Sequence, residues 1–172
     1  VDILCSLQDG NENGVYINSG DGTGWIKDNN YTIPEYFADG QHNTGTELVD
    51  VNGDGLSDII YSRKYIGVPV DSGVYINKGD GTGWILDNNY SVPVYLAQNG
   101  QDYGARFADA NGDGLEDIII SLTGGEHGVY LANNYKADLL NNIKDSTGSE
   151  LKVIYKASSQ YLNSSNILLN PN

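Results

Sequence analysis

An acidic nine-residue loop occurs twice in this chain. Its copies read Asp50-Val51-Asn52-Gly53-Asp54-Gly55-Leu56-Ser57-Asp58 and Asp109-Ala110-Asn111-Gly112-Asp113-Gly114-Leu115-Glu116-Asp117. Oxygen-bearing side chains stand at positions 1, 3, 5 and 9 of each copy. A hard cation such as Ca²⁺ takes about six to eight oxygen ligands, and the intervening glycines permit the positive φ angles that wrap a short backbone around an ion. The spacing therefore predicts two calcium loops.

The predicted ligands come from the same five positions of both loops. Side-chain oxygens would come from positions 1, 3, 5 and 9, and a backbone carbonyl from position 7. The ligands are Asp50, Asn52, Asp54, Leu56 and Asp58 in the first loop and Asp109, Asn111, Asp113, Leu115 and Asp117 in the second. One ion per loop gives two Ca²⁺ for the chain. The alternative is that the loops are Asp/Asn/Gly turns that bind no metal.

A helix-loop-helix calcium site does not fit these loops. Its loop closes with a Glu at position twelve, where this chain has Tyr61 in one copy and Ile120 in the other. Each loop is instead followed by a short β-branched run, at 58–62 and at 117–121. Such runs predict buried strands.

The loops belong to an internal repeat with a period of 59 residues. Gly14-Val15-Tyr16-Ile17-Asn18 recurs at 73–77, and Gly20-Asp21-Gly22-Thr23-Gly24-Trp25 recurs at 79–84. Each unit predicts four short strands. In the second unit these strands cover 46–49, 58–62, 73–77 and the residues after Trp84. Asp2 aligns with Asp58 as an orphan ninth-position residue, and Asp21 and Asp80 are interpreted as turn residues.

The repeats fade near residue 135, which divides the chain into a repeat region, 1–135, and a C-terminal segment, 136–172. In the second part, 137–143 and 150–155 predict two strands joined by the turn at 145–148, and 157–172 predicts a loop or frayed end. The chain is rich in Tyr, Asn, Gly and Asp, a composition that favours an all-β fold over a helical one.

The net charge of -14 excludes several partners. Nucleic acid and anionic membrane surfaces are unfavourable partners even after two Ca²⁺ have bound. The sequence holds no apolar run of about 18 residues, so no membrane span is predicted. Loops of modest calcium affinity suit a calcium-rich compartment, which predicts a secreted or extracellular protein.

The Asp-x-Asn-Gly-Asp-Gly-x-x-Asp-Ile loops, each followed by a Gly-Val-Tyr-Ile-Asn-like strand, resemble FG-GAP/VCBS repeats. That family forms β-propeller blades, as in the integrin α-subunit head. The resemblance covers residues 1–135 and implies a partial propeller of about two to three four-stranded blades, followed by a β-hairpin segment. It also implies Ca²⁺ ligation by the ten residues named above.

A narrower resemblance concerns the order of Gly104–Gly114, Ala137–Ile143 and Leu151–Lys156. This order is similar to the passage from propeller to shell in Tc-toxin B components and related Rhs/YD-repeat proteins. In that family the propeller docks a toxin cocoon onto a channel, and the shell encloses a toxic cargo. The resemblance implies a toxin-related parent protein.

The sequence leads to three hypotheses about function. The leading hypothesis is a calcium-binding, non-catalytic module for protein–protein interaction, with self-association through exposed blade faces as a further expectation. The alternative is a carbohydrate-binding module that stacks sugars on Trp25 and Trp84; against it, these residues with Tyr16 and Tyr75 are interpreted as packing between blades. A calcium-dependent hydrolase or lyase is the third hypothesis. His42 and His127 lie in unmatched loop positions without a catalytic spacing, so the chain is predicted not to be an enzyme.

Overall fold

The computed structural model describes residues 1–8, 13–132, 140 and 142–154, and within these ranges the regular structure is entirely β. The strands are β1 (Ile3–Cys5), β2 (Gly14–Asn18), β3 (Trp25–Asp28), β4 (Ala38–Asp39), β5 (His42–Asn43), β6 (Thr46–Val49), β7 (Asp58–Lys64), β8 (Asp71–Asn77), β9 (Trp84–Leu86), β10 (Ala97–Gln98), β11 (Gln101–Asp102), β12 (Ala105–Ala108), β13 (Asp117–Ser121), β14 (His127–Tyr130), β15 (Asn142–Lys144) and β16 (Glu150–Lys152). The described part of the chain has no helix that is long and apolar enough to cross a bilayer.

Three antiparallel sheets follow one another along the chain. The first has the order β1-β2-β3, the second contains the run β6-β7-β8-β9, and the third has the order β12-β13-β14. Sequential strands pair as neighbours because the short connections between them allow only hairpins. The acidic loops join β6 to β7 and β12 to β13, so they lie at the same end of consecutive sheets.

The four predicted strands of the second unit are confirmed as β6 to β9, with β7 and β8 each two residues longer than expected. The reason for the extension is the hairpin between them, where the pairing continues as far as Arg63 with Asp71. The strands predicted at 137–143 and 150–155 correspond to β15 and β16, which form an antiparallel hairpin. Residues 137–139, 141 and 155 lie outside the described residues. The predicted boundary at 135 and the predicted loop at 157–172 lie outside the described residues.

Two short hairpins connect the sheets, and the sequence analysis did not predict them. They are β4-β5 between the first and second sheets and β10-β11 between the second and third. β10 adds to the second sheet in parallel with β7, through Ala97 opposite Arg63. In the preceding unit Leu7 pairs with Ala38 in the same parallel sense. The repeat thus includes the connecting hairpins as well as the sheets.

The apolar core lies between the second and third units. Its buried residues are Val49, Ile60, Val74, Val94, Leu96, Ala105 and Ile120. They come from strands of both sheets and from the segment that connects them. Burial of these side chains is the main favourable term that holds the two units together.

Candidate metal centre

In both acidic loops the first-position carboxylate accepts hydrogen bonds from the backbone of its own loop. Asp50 Oδ1 accepts from the N–H groups of Gly53 at 2.8 Å and Asp54 at 3.1 Å, and its Oδ2 accepts from Gly55 at 2.8 Å. Asp109 accepts from the three equivalent N–H groups at 2.7, 3.0 and 2.8 Å. The two loops therefore share one conformation, although their residues differ at positions 2 and 8.

The third and fifth positions form Asx turns. Asn52 Oδ1 accepts from the N–H of Asp54 at 2.9 Å, and Asp54 Oδ1 accepts from the N–H of Leu56 at 2.8 Å. Side chains that bond to the backbone two residues on are the usual reason for Asn and Asp in turns. Gly53 and Gly55 have φ angles of 76° and 84°. The predicted requirement for glycine at these two positions is confirmed.

The ninth-position aspartate joins each loop to its sheet. Asp58 is fully buried, and its Oδ1 accepts from the N–H of Asn77 at the end of β8 at 2.8 Å. Its Oδ2 accepts from Val51 at the start of the loop at 3.1 Å. Asp117, also fully buried, makes the equivalent bonds to the N–H groups of Ala132 and Ala110 at 2.8 and 2.9 Å.

The same contact identifies the partial copy at the start of the chain. Asp2 Oδ1 accepts from the N–H of Asn18 at 2.8 Å, as Asp58 does from Asn77. Asp2 therefore has the structural role of a ninth-position residue. The position of Asp2 follows from the internal repeat, whereas its bond to the end of β2 is visible only in the structure.

The environment of Asp58 raises the pKa of its carboxyl group when no cation is present. Burial raises the pKa of Asp58 to about 6, although the N–H groups of Asn77 and Val51 act in the opposite direction. The carboxylates at the first and fifth positions of the loop raise the pKa further. A divalent ion placed among these groups would favour the ionised form.

Within the described residues, no group of three or more His, Cys, Asp or Glu side chains is arranged to hold a metal ion. The loop carboxylates lie against backbone N–H groups instead. The donor types nevertheless suit Ca²⁺, which prefers hard oxygens from carboxylates, amides and carbonyls. A carboxylate oxygen that accepts one N–H bond retains a second lone pair. Coordination by the ten predicted residues stays a prediction from spacing and donor chemistry.

Asp21 and Asp80 form turns, as predicted. Asp80 Oδ1 accepts from the N–H of Thr82 at 2.9 Å and from its hydroxyl at 2.7 Å. Hydrogen bonds from Ser19 and Thr23 lower the pKa of Asp21 to about 2. Both carboxylates are therefore stabilised in their ionised form by hydrogen bonds inside a turn.

The two tryptophans differ in their surroundings. Trp84 lies at the junction of the first two units, with its ring centroid 5.8 Å from that of Tyr31 and its Nε1 donating to Ser57 O at 2.8 Å. Trp25 makes the equivalent bond to Val1 O at 3.0 Å but is 51% exposed. The interpretation of packing between units fits Trp84. It does not fit Trp25, because no described aromatic ring pairs with it.

Tyr16 and Tyr75 make aromatic contacts with residues of their own sheets. Tyr75 stacks on Tyr61 of the neighbouring strand at 6.0 Å, and Tyr16 lies beneath Lys27 Nζ at 5.7 Å. Lys27 lies directly opposite Tyr16 in the antiparallel pairing, and Tyr61 lies diagonally opposite Tyr75. Cross-strand neighbours on one face approach closely enough for such contacts.

The histidines lie on short strands, His42 in β5 and His127 in β14. His127 Nδ1 is 3.2 Å from Ser121 Oγ, its cross-strand neighbour. The His42 ring packs against the backbone of Gly100, where an added Cβ would lie 2.8 Å from His42 Cδ2. His42 therefore contributes to the contact between the two connecting hairpins.

An ion-pair network at the other end of β7 was missed by sequence reasoning. Arg63 Nη1 lies 3.0 Å from Glu35 Oε2, and Arg63 Nη2 lies 2.6 Å from Asp71 Oδ2. A signal was present in the repeat, because the positions equivalent to Glu35 and Arg63 are Val94 and Leu122. A charged pair in one copy and an apolar pair in the other mark a difference between the two junctions.

Comparison with known families supports the assignment of the repeat. Residues 50–120 match the FG-GAP-like repeat family. The matched segment runs from the first residue of the first loop to the strand after the second loop, so it contains both. FG-GAP repeats are generally protein-interaction modules, are typically non-catalytic, and occur in extracellular or surface proteins. The all-β sheets are consistent with FG-GAP blades and confirm the predicted fold class.

Searches of curated proteins and of solved structures each returned no significant match.

Proposed function

We propose that this chain is a calcium-stabilised, non-catalytic repeat module that binds another protein. The observation that carries the proposal is the shared conformation of two acidic loops at the same place in consecutive sheets, within the segment that matches the FG-GAP-like family. Calcium would have a structural role. The first loop holds three carboxylates in nine residues and the second holds four, and their mutual repulsion opposes folding until a cation offsets it.

The residues that would hold the ion are the ten predicted ligands. Bound calcium would supply positive charge and fix the side chains of positions 1, 3, 5 and 9 around one centre. The ninth-position residue also has a structural role, because Asp58 accepts a hydrogen bond from the N–H of Asn77 at the end of β8. Binding at the loop would therefore stabilise the sheet behind it, since ligand binding to the folded state alone adds to folding stability.

An exposed apolar hairpin tip, residues 65–70 between β7 and β8, supports a protein partner. Ile66 is 87% exposed, Val68 50% and Val70 44%. The tip is held in place, because Lys64 Nζ donates to Val68 O at 2.8 Å and Ile66 N–H donates to Asn99 Oδ1 at 3.1 Å. Clustered apolar side chains on an ordered loop are typical of interaction surfaces.

The parent protein is proposed to be secreted, and to be toxin-related on the basis of the resemblance of the C-terminal junction. Support for secretion comes from the extracellular or surface setting of FG-GAP repeats and from the acidic loops, which suit millimolar calcium. Support for the toxin setting comes from the sequence resemblance alone.

The test is calcium titration by isothermal calorimetry, together with thermal unfolding in 2 mM calcium and in excess chelator. We expect about two ions per chain and a higher Tm with calcium. The double variant Asp50→Asn/Asp109→Asn should lose both effects. Asp80→Asn is the matched control, because it changes a turn aspartate outside the loops and should titrate like the wild type. No heat of binding and an unchanged Tm would refute the proposal.

A further inference from the structure

A cavity of about 480 Å³ lies between the first and second units, at the end of β7 that is remote from the acidic loop. The lining residues that matter here are Glu35, Tyr36, Asp39, Thr44, Arg63 and Tyr65. The first four belong to the connection between β3 and β6, and the last two come from β7 and the hairpin tip. The volume is in the range of small-molecule sites, about 300–1,000 Å³.

The charged wall of the cavity is held in place by several contacts. Arg63 bonds to Asp71 through Nε at 2.8 Å and Nη2 at 2.6 Å, and to Glu35 through Nη1 at 3.0 Å. Its guanidinium also lies 4.9 Å from the ring centroid of Tyr61. The Arg63 side chain is 20% exposed and the Glu35 side chain 12% exposed. The donors and acceptors at this wall are therefore preorganised, with part of their surface facing the cavity.

The repeat shows that the fold does not need this ion pair. The residues equivalent to Glu35 and Arg63 are Val94, which is buried in the core, and Leu122, which packs against that core. The junction between the second and third units is thus closed by apolar side chains at the same positions. A buried ion pair is generally no more stabilising than such a pair. Stability alone therefore does not account for the charged residues at the first junction.

The chemistry of the lining indicates the class of ligand. Tyr36 and Tyr65 are 41% and 36% exposed, so their rings present apolar faces with a polar tip. Carboxylates at Glu35 and Asp39 accept hydrogen bonds, and the guanidinium of Arg63 donates them. Aromatic faces beside mixed donors and acceptors match the alternating C–H and O–H surfaces of a sugar ring.

We propose that this cavity is a binding site for a neutral saccharide. An anionic ligand is disfavoured, because Arg63 is the one cation among the described lining residues and already bonds to two carboxylates. A lipid or other apolar ligand is disfavoured by the charged wall. The inference goes beyond the proposed function, since it concerns a different end of the sheet and does not require calcium at the loops.

The test is a panel of neutral mono- and disaccharides, with hexoses and N-acetylhexosamines, applied to the full chain in saturation-transfer NMR and calorimetry. At least one should bind with a millimolar or tighter Kd. The variant Glu35→Val/Arg63→Leu installs the residues of the second junction. It should keep or increase the Tm and weaken saccharide binding at least tenfold.

Tyr36→Ala is the second variant, and it should also weaken binding at least tenfold. Its matched control is Tyr130→Ala, because Tyr130 is 37% exposed and lies on the third sheet. That control should bind like the wild type. The proposal is overturned if no member of the panel binds at 20 mM, or if either Glu35→Val/Arg63→Leu or Tyr36→Ala retains wild-type affinity. Binding of methylguanidinium in place of every saccharide would also overturn it, because the ligand would then be a cation.

Discussion

The buried aspartate at the ninth position of each loop is the residue that links loop and sheet. Replacing Asp58 by Asn substitutes an amide group for one of two oxygens that both accept backbone N–H bonds. The N–H of Val51 or of Asn77 would then face the amide NH₂ group of the new side chain, which is a second donor. We expect the free energy of unfolding to fall by about 1–3 kcal/mol even with calcium chelated, measured by urea denaturation in excess chelator.

Asp54→Asn is the control for this change. An Asn at position 54 keeps the oxygen that accepts from the N–H of Leu56 and loses the bond that Oδ2 accepts from the Asn52 amide at 3.0 Å. This position is half-buried rather than fully buried, so the calcium-free stability should fall by less than in Asp58→Asn, by about 1 kcal/mol or less. In calcium both variants should lose affinity, because both remove a predicted ligand. Equal stabilities of the two variants in chelator would show that the bonds of Asp58 to the backbone contribute little.

The carboxylate of Glu35 gives a prediction about pH. Burial raises the pKa of Glu35 above its usual 4.5, and the charge of Arg63 offsets only part of this effect. The folded state therefore binds this proton more tightly than the unfolded chain. The contribution of Glu35 to stability is full below pH about 4.5 and is lost as the pH rises through the higher folded-state pKa.

Glu35→Gln should remove this dependence. The variant should unfold at the same temperature as the wild type near pH 4 and at a higher temperature near pH 7, because the amide imitates the protonated acid and Arg63 keeps its bonds to Asp71. Thermal unfolding at half-unit steps from pH 4 to 7.5 measures the difference. A constant gap in Tm across that range would contradict the assignment.

At the scale of elements, Gly45 lets the connecting hairpin approach the second sheet. Its φ is 67°, and an added Cβ would lie 2.5 Å from Ser62 O and 3.0 Å from the backbone nitrogen of Ala97. Gly45→Ala should lower the free energy of unfolding by more than about 2 kcal/mol, since backbone strain and overlap act together. Chemical denaturation followed by circular dichroism measures the loss.

Gly40→Ala separates these two causes. Gly40 also has a positive φ, 56°, but nothing lies within 4 Å of an added Cβ. This variant should lose only the cost of a left-handed backbone, about 1 kcal/mol. If both variants were destabilised equally, the close approach at Gly45 would not matter.

Elements with a repeated or alternating pattern could be predicted from the sequence, and elements defined by distant contacts could not. β7 was predictable because Asp58–Ser62 recurs at 117–121 and carries β-branched residues. β4, β5, β10 and β11 contain two residues each, which is too short for a periodic signal. β4 and β10 are positioned by parallel pairing with residues distant in sequence, Ala38 with Leu7 and Ala97 with Arg63. β5 and β11 pair only with these two strands.

Of the two candidate sites, the acidic loops could also be predicted from the sequence and the charged pair could not. The loop residues follow from local spacing, since positions 1 to 9 are close in sequence and the Asx turns form within the loop. The contact between Glu35 and Arg63 joins residues from different units. It could have been suspected from the apolar equivalents Val94 and Leu122, but pairing of the two charges required the fold.

At the scale of the whole molecule, the two junctions between units are built differently. The first carries the cavity beside Arg63 at one end and the pair of Tyr31 and Trp84 at the other. The second is closed by the apolar core around Val94 and Ile120. The parallel contacts of the connecting hairpins occur at the first and second sheets alike. The second junction is thus filled by buried apolar side chains, whereas the first has room for a ligand.

Substitution of Trp84 measures how much the first junction contributes to the free energy of unfolding. Trp84 and Trp25 occupy equivalent positions and make equivalent indole bonds, to Ser57 O at 2.8 Å and Val1 O at 3.0 Å. They differ in one contact, because the ring of Tyr31 packs against Trp84 and not against Trp25. Trp84→Ala should therefore lower the free energy of unfolding by about 2 kcal/mol or more, and Trp25→Ala by less than about 1 kcal/mol. Urea denaturation of both variants in chelator measures the difference, and equal losses would mean that the contact with Tyr31 does not stabilise the junction.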